Sequence, residues 1–120
     1  MGIQKFVEKY PDFSNISFEF HYPEGLDTPH APNRTDEQIA HDLVYKDSEK
    51  IRPEVFRQWL RDLISDAHRV RADIADNWQA LTDEVNRCLY TEEEAAAWLD
   101  RMIAVWEREL AKLEPGEPPK

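Results

Sequence analysis

Apolar side chains recur through the second half of the chain at steps of three and four. Phe56, Leu60, Leu63, Ala67, Val70, Ile74, Trp78, Leu81, Val85 and Cys88 form one such stripe, and this spacing keeps one face of an α-helix apolar. Pro53 stands where a helix accepts proline, in the first turn. The pattern predicts one amphipathic helix over 53–89, with a single extra step of four between Ile74 and Trp78. Asp76-Asn-Trp-Gln matches a capping box that would divide it, and the continuing stripe favours one helix. Thr91 with Glu94 is a second capping box. It opens a helix over 92–113, with Ala95, Leu99, Met102, Ile103, Trp106, Leu110 and Leu113 on one face. Pro115 and the rest of the tail, 114–120, stop it. So short a connection predicts an antiparallel helical hairpin, with an open apolar side to be covered by the N-terminal half or a second subunit.

The N-terminal half reads less regularly. Ile3, Phe6, Val7 and Tyr10 fit a short helix that Pro11 ends. Ile16, Phe18, Phe20 and Tyr22 then alternate with Ser17, Glu19 and His21, so 15–22 reads as a strand-like segment. It has no second strand to pair with. Its backbone would pair with a second copy or a partner's sheet, or the segment would lie across the helices. Residues 23–34 are a loop rich in proline. Thr35 and Gln38 then form a capping box ahead of a short helix, 36–47, with Ile39, Leu43 and Val44 inward. The expected fold is one mainly α domain over 1–120: a long antiparallel hairpin with an N-terminal arm, 1–34, that holds a short helix and one strand-like segment.

Composition fits such a domain. Of 120 residues, 41% are hydrophobic and 33% charged, which is too apolar for a disordered chain despite the mean hydropathy of -0.75. Only three glycines are present, which argues against hairpin-rich β folds and phosphate-binding glycine loops. Cys88 is the single cysteine, so an intrachain disulfide is excluded. The first residues lack the apolar core of a leader and no run approaches a membrane span. The expectation is a cytoplasmic protein with no membrane contact.

Acids outnumber bases 25 to 15, for a net charge of -10. The excess lies at the two ends: residues 1–50 carry 10 acids and 5 bases, residues 91–120 carry 8 and 4, and residues 51–90 carry 7 and 6. This disfavours direct nucleic-acid binding, which needs surplus cations. On the long helix, Arg57, Arg61, His68 and Arg71 share one flank. They either dock an acidic partner or neutralise the chain's own acids. Trp98, Met102 and Val105 widen the apolar face of the last helix, and Phe18 and Phe20 give the arm an apolar face. All five are partner-contact candidates, and the alternative is that they pack within the chain.

Weaker metal-binding candidates are His41 and Glu37, one helical turn apart, with His21 and His30 nearby. Cys88 sits on the apolar stripe, as a core thiol does. No serine stands beside the glycines of a nucleophile elbow. The residues point to no cofactor and to a small acidic non-enzymatic interaction protein, whether subunit, adaptor or inhibitor. Its partner would be another protein, a second copy of itself (a homodimer), or both. Its sharpest form is an inhibitor that mimics nucleic acid, as phage proteins do. The competing reading is a metal-binding or accessory enzyme subunit using His41 and Glu37 with His21 and His30.

Overall fold

The computed structural model describes residues 3–17, 20, 35–45, 52–85 and 89–113. Six helices account for nearly all of them: α1 (Ile3–Lys9), α2 (Pro11–Ser17), α3 (Asp36–Tyr45), α4 (Pro53–Ala72), α5 (Ile74–Val85) and α6 (Glu92–Leu113). The protein is mainly α, with no strand among the described residues. None of these helices is long and apolar enough to cross a membrane.

Helix α6 is the centre of the fold. Helices α3, α4 and α5 pack directly on it, and α1 and α2 pack on α4 and α5. Its inner face buries Ala95, Trp98, Leu99, Met102, Ile103, Val105 and Trp106. Leu60, Leu63, Leu81, Phe6 and Phe13 are fully enclosed against it and its neighbours. Each such side chain contributes about 1.5–3 kcal/mol on burial. The ring edge of Phe13 on α2 meets Trp106 on α6 at 6.2 Å, so the first helices reach the central one.

Two boundaries follow the capping chemistry in the sequence. At α3, Thr35 and Gln38 bond reciprocally: Gln38 N–H donates to Thr35 Oγ1 at 3.1 Å, and Thr35 N–H donates to Gln38 Oε1 at 2.9 Å. At α6, Glu94 N–H donates to Thr91 Oγ1 at 3.0 Å. The Glu94 carboxylate reaches one residue further back, to the N–H of Tyr90 at 2.9 Å. Each side chain satisfies a backbone donor that has no partner inside the helix.

The single helix expected over 53–89 is two helices, and the break is at Asp73 rather than Asp76. Asp73 leaves helical geometry (φ -110°, ψ 36°), and α5 restarts at Ile74. The cause is Asn77. Its Nδ2 donates to the Val70 carbonyl at 3.2 Å, the carbonyl that an uninterrupted helix offers to the N–H of residue 74. A side chain inserted into the ladder is an established cause of helix kinks. The extra step of four in the apolar stripe falls at this break. Beyond it Asn77 is buried and Trp78 only half-buried, so the inner face is rotated from the one expected. Residues 86–88 lie outside the described residues.

The strand-like reading of 15–22 does not hold where the structure describes it. Asn15, Ile16 and Ser17 form the last turn of α2, and Phe20 has 3₁₀ geometry. Residues 18, 19, 21 and 22 lie outside the described residues, as do the loop 23–34 and the tail 114–120. Pro11 begins α2 rather than only ending α1. The bonds Tyr10 N–H to Phe6 O and Ser14 N–H to Tyr10 O, both 2.9 Å, bracket it. The buried series Phe6, Tyr10, Phe13, Ile16/Ser17, Phe20 is a run of helical steps of three and four through the proline.

Candidate functional site

Helix α4 presents two flanks beside its buried face. The cationic one carries Arg57, Arg61, His68 and Arg71. Arg71 Nε donates to Asp100 of α6 at 2.9 Å, and His68 Nε2 meets Glu107 of α6 at 3.0 Å. Both partners stand on the acidic C-terminal helix, so Arg71 neutralises one of the chain's own acids and His68 meets another. Arg61 is exposed, with its guanidinium 3.5 Å from Gln58 Oε1, and Arg57 is half-buried.

The aromatic candidates turn inward. Trp98 is 2% exposed, Met102 is 0% and Val105 is 3%. Phe20 is fully buried with its ring edge against Trp98 at 5.1 Å. The Trp98 indole donates to Asp36 Oδ2 at 2.7 Å. Trp98, Met102, Val105 and Phe20 are therefore core residues of this chain, not a surface offered to a partner: α3 and Phe20 cover the widened face of α6. Phe18 lies outside the described residues.

The polar candidates on α3 are drawn to α6. Glu37 pairs with Arg101 at 3.2 Å. His41 Nδ1 is 3.2 Å from Asp42 Oδ1, its Nε2 is 3.7 Å from Glu109 Oε1, and its ring packs on Tyr45 at 5.1 Å. Among the described residues no group of three or more His, Cys, Asp or Glu side chains is placed to hold a metal ion. His21 and His30 lie outside them, and so does Cys88.

Three buried polar residues organise the interior, and none was singled out from the sequence. Glu109 is 1% exposed. It accepts a hydrogen bond from the Tyr45 hydroxyl at 2.7 Å, one from Lys112 Nζ at 3.1 Å and a longer one from Arg108 Nε at 3.4 Å. Burial alone pushes its carboxyl up, but these hydrogen bonds and the charge of Lys112 hold it below the ordinary carboxylate value. Asp66, 4% exposed, accepts from the backbone N–H groups of Asp12 and Phe13 at 2.9 and 3.2 Å. It thus caps α2 from another helix, while Arg69 holds its second oxygen at 2.9 Å. Arg69 also donates to the Lys9 carbonyl and stacks over the Tyr10 ring. Asn77 ties the kink to the first helices through Tyr10 Oη at 3.0 Å. Spacing betrays all three. Leu63–Asp66–Val70, Ile74–Asn77–Leu81 and Trp106–Glu109–Leu113 each run three then four, so each polar residue occupies an inward position.

The opposite flank of α4 stays open. Glu54, Val55, Gln58, Trp59 and Asp62 line a shallow groove with a mostly apolar lining. Val55 is 47% exposed, and Trp59 stacks on Phe56 with ring centroids 5.9 Å apart. Asp62 accepts from Gln58 Nε2 at 2.9 Å. Asp12 on α2 stands close by. Partial burial and then the charges of Asp66 and Asp62 push its carboxyl up. The site offers apolar contact and negative charge.

Compared with protein-family models, with curated proteins and with solved structures, the chain finds no match.

Proposed function

We propose that this is a small acidic interaction protein, a subunit, adaptor or inhibitor that acts in the cytosol by recognising a basic partner protein. One observation carries the reading: the distribution of ion pairs. Most of the cations among the described residues are occupied by the fold itself. Arg69 serves buried Asp66, Arg108 and Lys112 serve buried Glu109, and Arg71 and Arg101 join helices. Glu54, Asp62, Asp83 and Glu93 remain exposed with no cationic partner among the described residues. A surface whose own cations are engaged in packing presents its carboxylates to a partner, and such fields steer association with a molecule of opposite sign. The scaffold would be a hairpin with α4 and α6 antiparallel. The pairs His68–Glu107 and Arg71–Asp100, which advance on α4 as they recede on α6, support that arrangement. In the sharpest form the carboxylates stand in for phosphates and occupy a nucleic-acid-binding surface.

The test uses two baits in lysate of the source organism: the natural chain, and a variant carrying Glu54→Gln, Asp62→Asn, Asp83→Asn and Glu93→Gln. The natural chain should retain a basic protein that leaves as salt is raised and that the variant loses. Added duplex DNA should displace that protein if the surface mimics nucleic acid. Retention of the same proteins by both baits, or of none, overturns the reading.

A further inference from the structure

Resting on that reading, we propose that the groove on the N-terminal half of α4 is a docking site for a basic amphipathic segment of the partner, an apolar anchor side chain flanked by cations. The apolar half of the argument is Val55 and Trp59. They stand one helical turn apart, so their side chains adjoin on one face, and Val55 is the more exposed of the two exposed valines of the described helices. An apolar side chain left open beside a half-buried tryptophan offers contact area that water does not use, and tryptophan is enriched at the energetic centres of interfaces.

The charged half is the flanking carboxylates. Glu54 precedes this pair and Asp62 follows it, eight residues apart, about 12 Å along a helix. That separation matches cations two turns apart on a partner helix, with the anchor between them. Asp12 sharpens the choice of sign. It already shares its surroundings with Asp62 and Asp66, and of these three carboxylates only Asp66 has a cation within ion-pair distance among the described residues, Arg69. An incoming Lys or Arg relieves like-charge crowding that the fold leaves in place, whereas an acidic segment adds to it. A second copy of this chain, at -10, brings mostly the wrong charge.

The probe is a synthetic peptide with leucine and lysine at helical spacing, and its counterpart has glutamate in place of lysine. Each is titrated into the isotope-labelled full-length protein while the amide signals and the Trp59 indole signal are followed. The lysine peptide should move the signals of Val55, Gln58 and Trp59, and the glutamate peptide should leave them in place. Val55→Ser, a change at an exposed position, should weaken binding about tenfold, one good apolar contact's worth. Glu54→Gln with Asp62→Asn should weaken it and flatten its dependence on salt. The proposal is overturned by shifts centred elsewhere, by none up to millimolar peptide, by equal binding of the glutamate peptide, or by concentration-dependent shifts at the groove without peptide. Used as lysate bait, Val55→Ser separates the two readings. If it keeps the salt-sensitive capture, the groove fails and the acidic-surface reading stands. If the four-fold neutralised bait keeps it as well, both fail.

Discussion

Glu109 shows how much one polar residue decides here. Its carboxylate is enclosed, and an enclosed charge survives only with hydrogen bonds or partners of opposite charge. Tyr45 supplies the shortest bond, at 2.7 Å, and ties α3 to α6. Tyr45→Phe leaves the carboxylate short of a donor, so we expect a loss of about 1–3 kcal/mol in urea unfolding at neutral pH. The same pair contributes at both ends of the pH profile. Burial, then the hydrogen bond to Glu109 and its charge, push the Tyr45 hydroxyl from 10.0 up to about 12. A raised folded value means the contribution is complete below pH 10 and lost as pH climbs through about 12. Glu109 runs the other way. Its folded value lies below 4.5, so its contribution is complete above pH 4.5 and lost as pH falls through the folded value. Stability curves of Glu109→Gln should be flatter than wild type on the acid side, and those of Tyr45→Phe flatter on the alkaline side. Unchanged limbs in both variants would show that the pair contributes no pH dependence. Spacing alone places this residue inward, but the partner that keeps it there was not legible, because the tyrosine lies 64 positions away.

At the scale of elements, the sequence was most legible where a single segment settles its own structure. The capping boxes at Thr35 and Thr91 are local, and each opens its helix where its spacing placed it; the local stripe of α6 buries Ala95, Leu99, Met102, Ile103 and Trp106 as spaced, with Leu110 and Leu113 half-buried. It was least legible where a distant side chain decides. Period-2 alternation and helical steps coexist in residues 10–20, and Asp66 tips the balance by capping α2 from 53 and 54 positions away. A seven-residue helix is too short to hold itself in water, so α2 depends on that cap. Asp66→Ala should release α2 before the rest. Hydrogen exchange should show the amides of Asp12, Phe13 and the following turn losing at least about tenfold in protection, with α6 unchanged. Asp66→Asn keeps an acceptor and should lose less. Uniform loss across all helices would mean that the cap serves the global fold rather than this element. The kink at Asp73 belongs to the same class. The slip in the apolar stripe was visible, but it could not reveal the bonds of Asn77 to Val70 and Tyr10.

For the whole molecule, charge distribution matters more than charge total. The near-neutral stretch 51–90 seen in the sequence becomes α4 and α5, whose Arg71 and His68 face acids of α6. Those links sit at half-exposed or exposed positions, where an ion pair is worth about 0–1 kcal/mol and weakens with salt. Against them stands the self-repulsion of a chain at -10, which acts over longer distances and is screened first as ionic strength rises toward about 0.15 M. The enclosed Asp66 and Glu109 are shielded from salt, so their bonds change little. Repulsion should therefore dominate the salt response. Adding sodium chloride from low to physiological levels should raise the melting temperature by a few degrees, corresponding to roughly 1 kcal/mol in a chain of this size. The variant with Glu54, Asp62, Asp83 and Glu93 neutralised should melt higher than wild type at low salt and respond less to added salt, because the repulsion it relieves is what salt screens. Calorimetric scans of the two proteins across the same salt series decide it. A melting temperature that falls with salt would mean that the pairs between α4 and α6 outweigh the surplus carboxylates. The exposed acids would then be a neutral surface rather than a strained one awaiting a cationic partner.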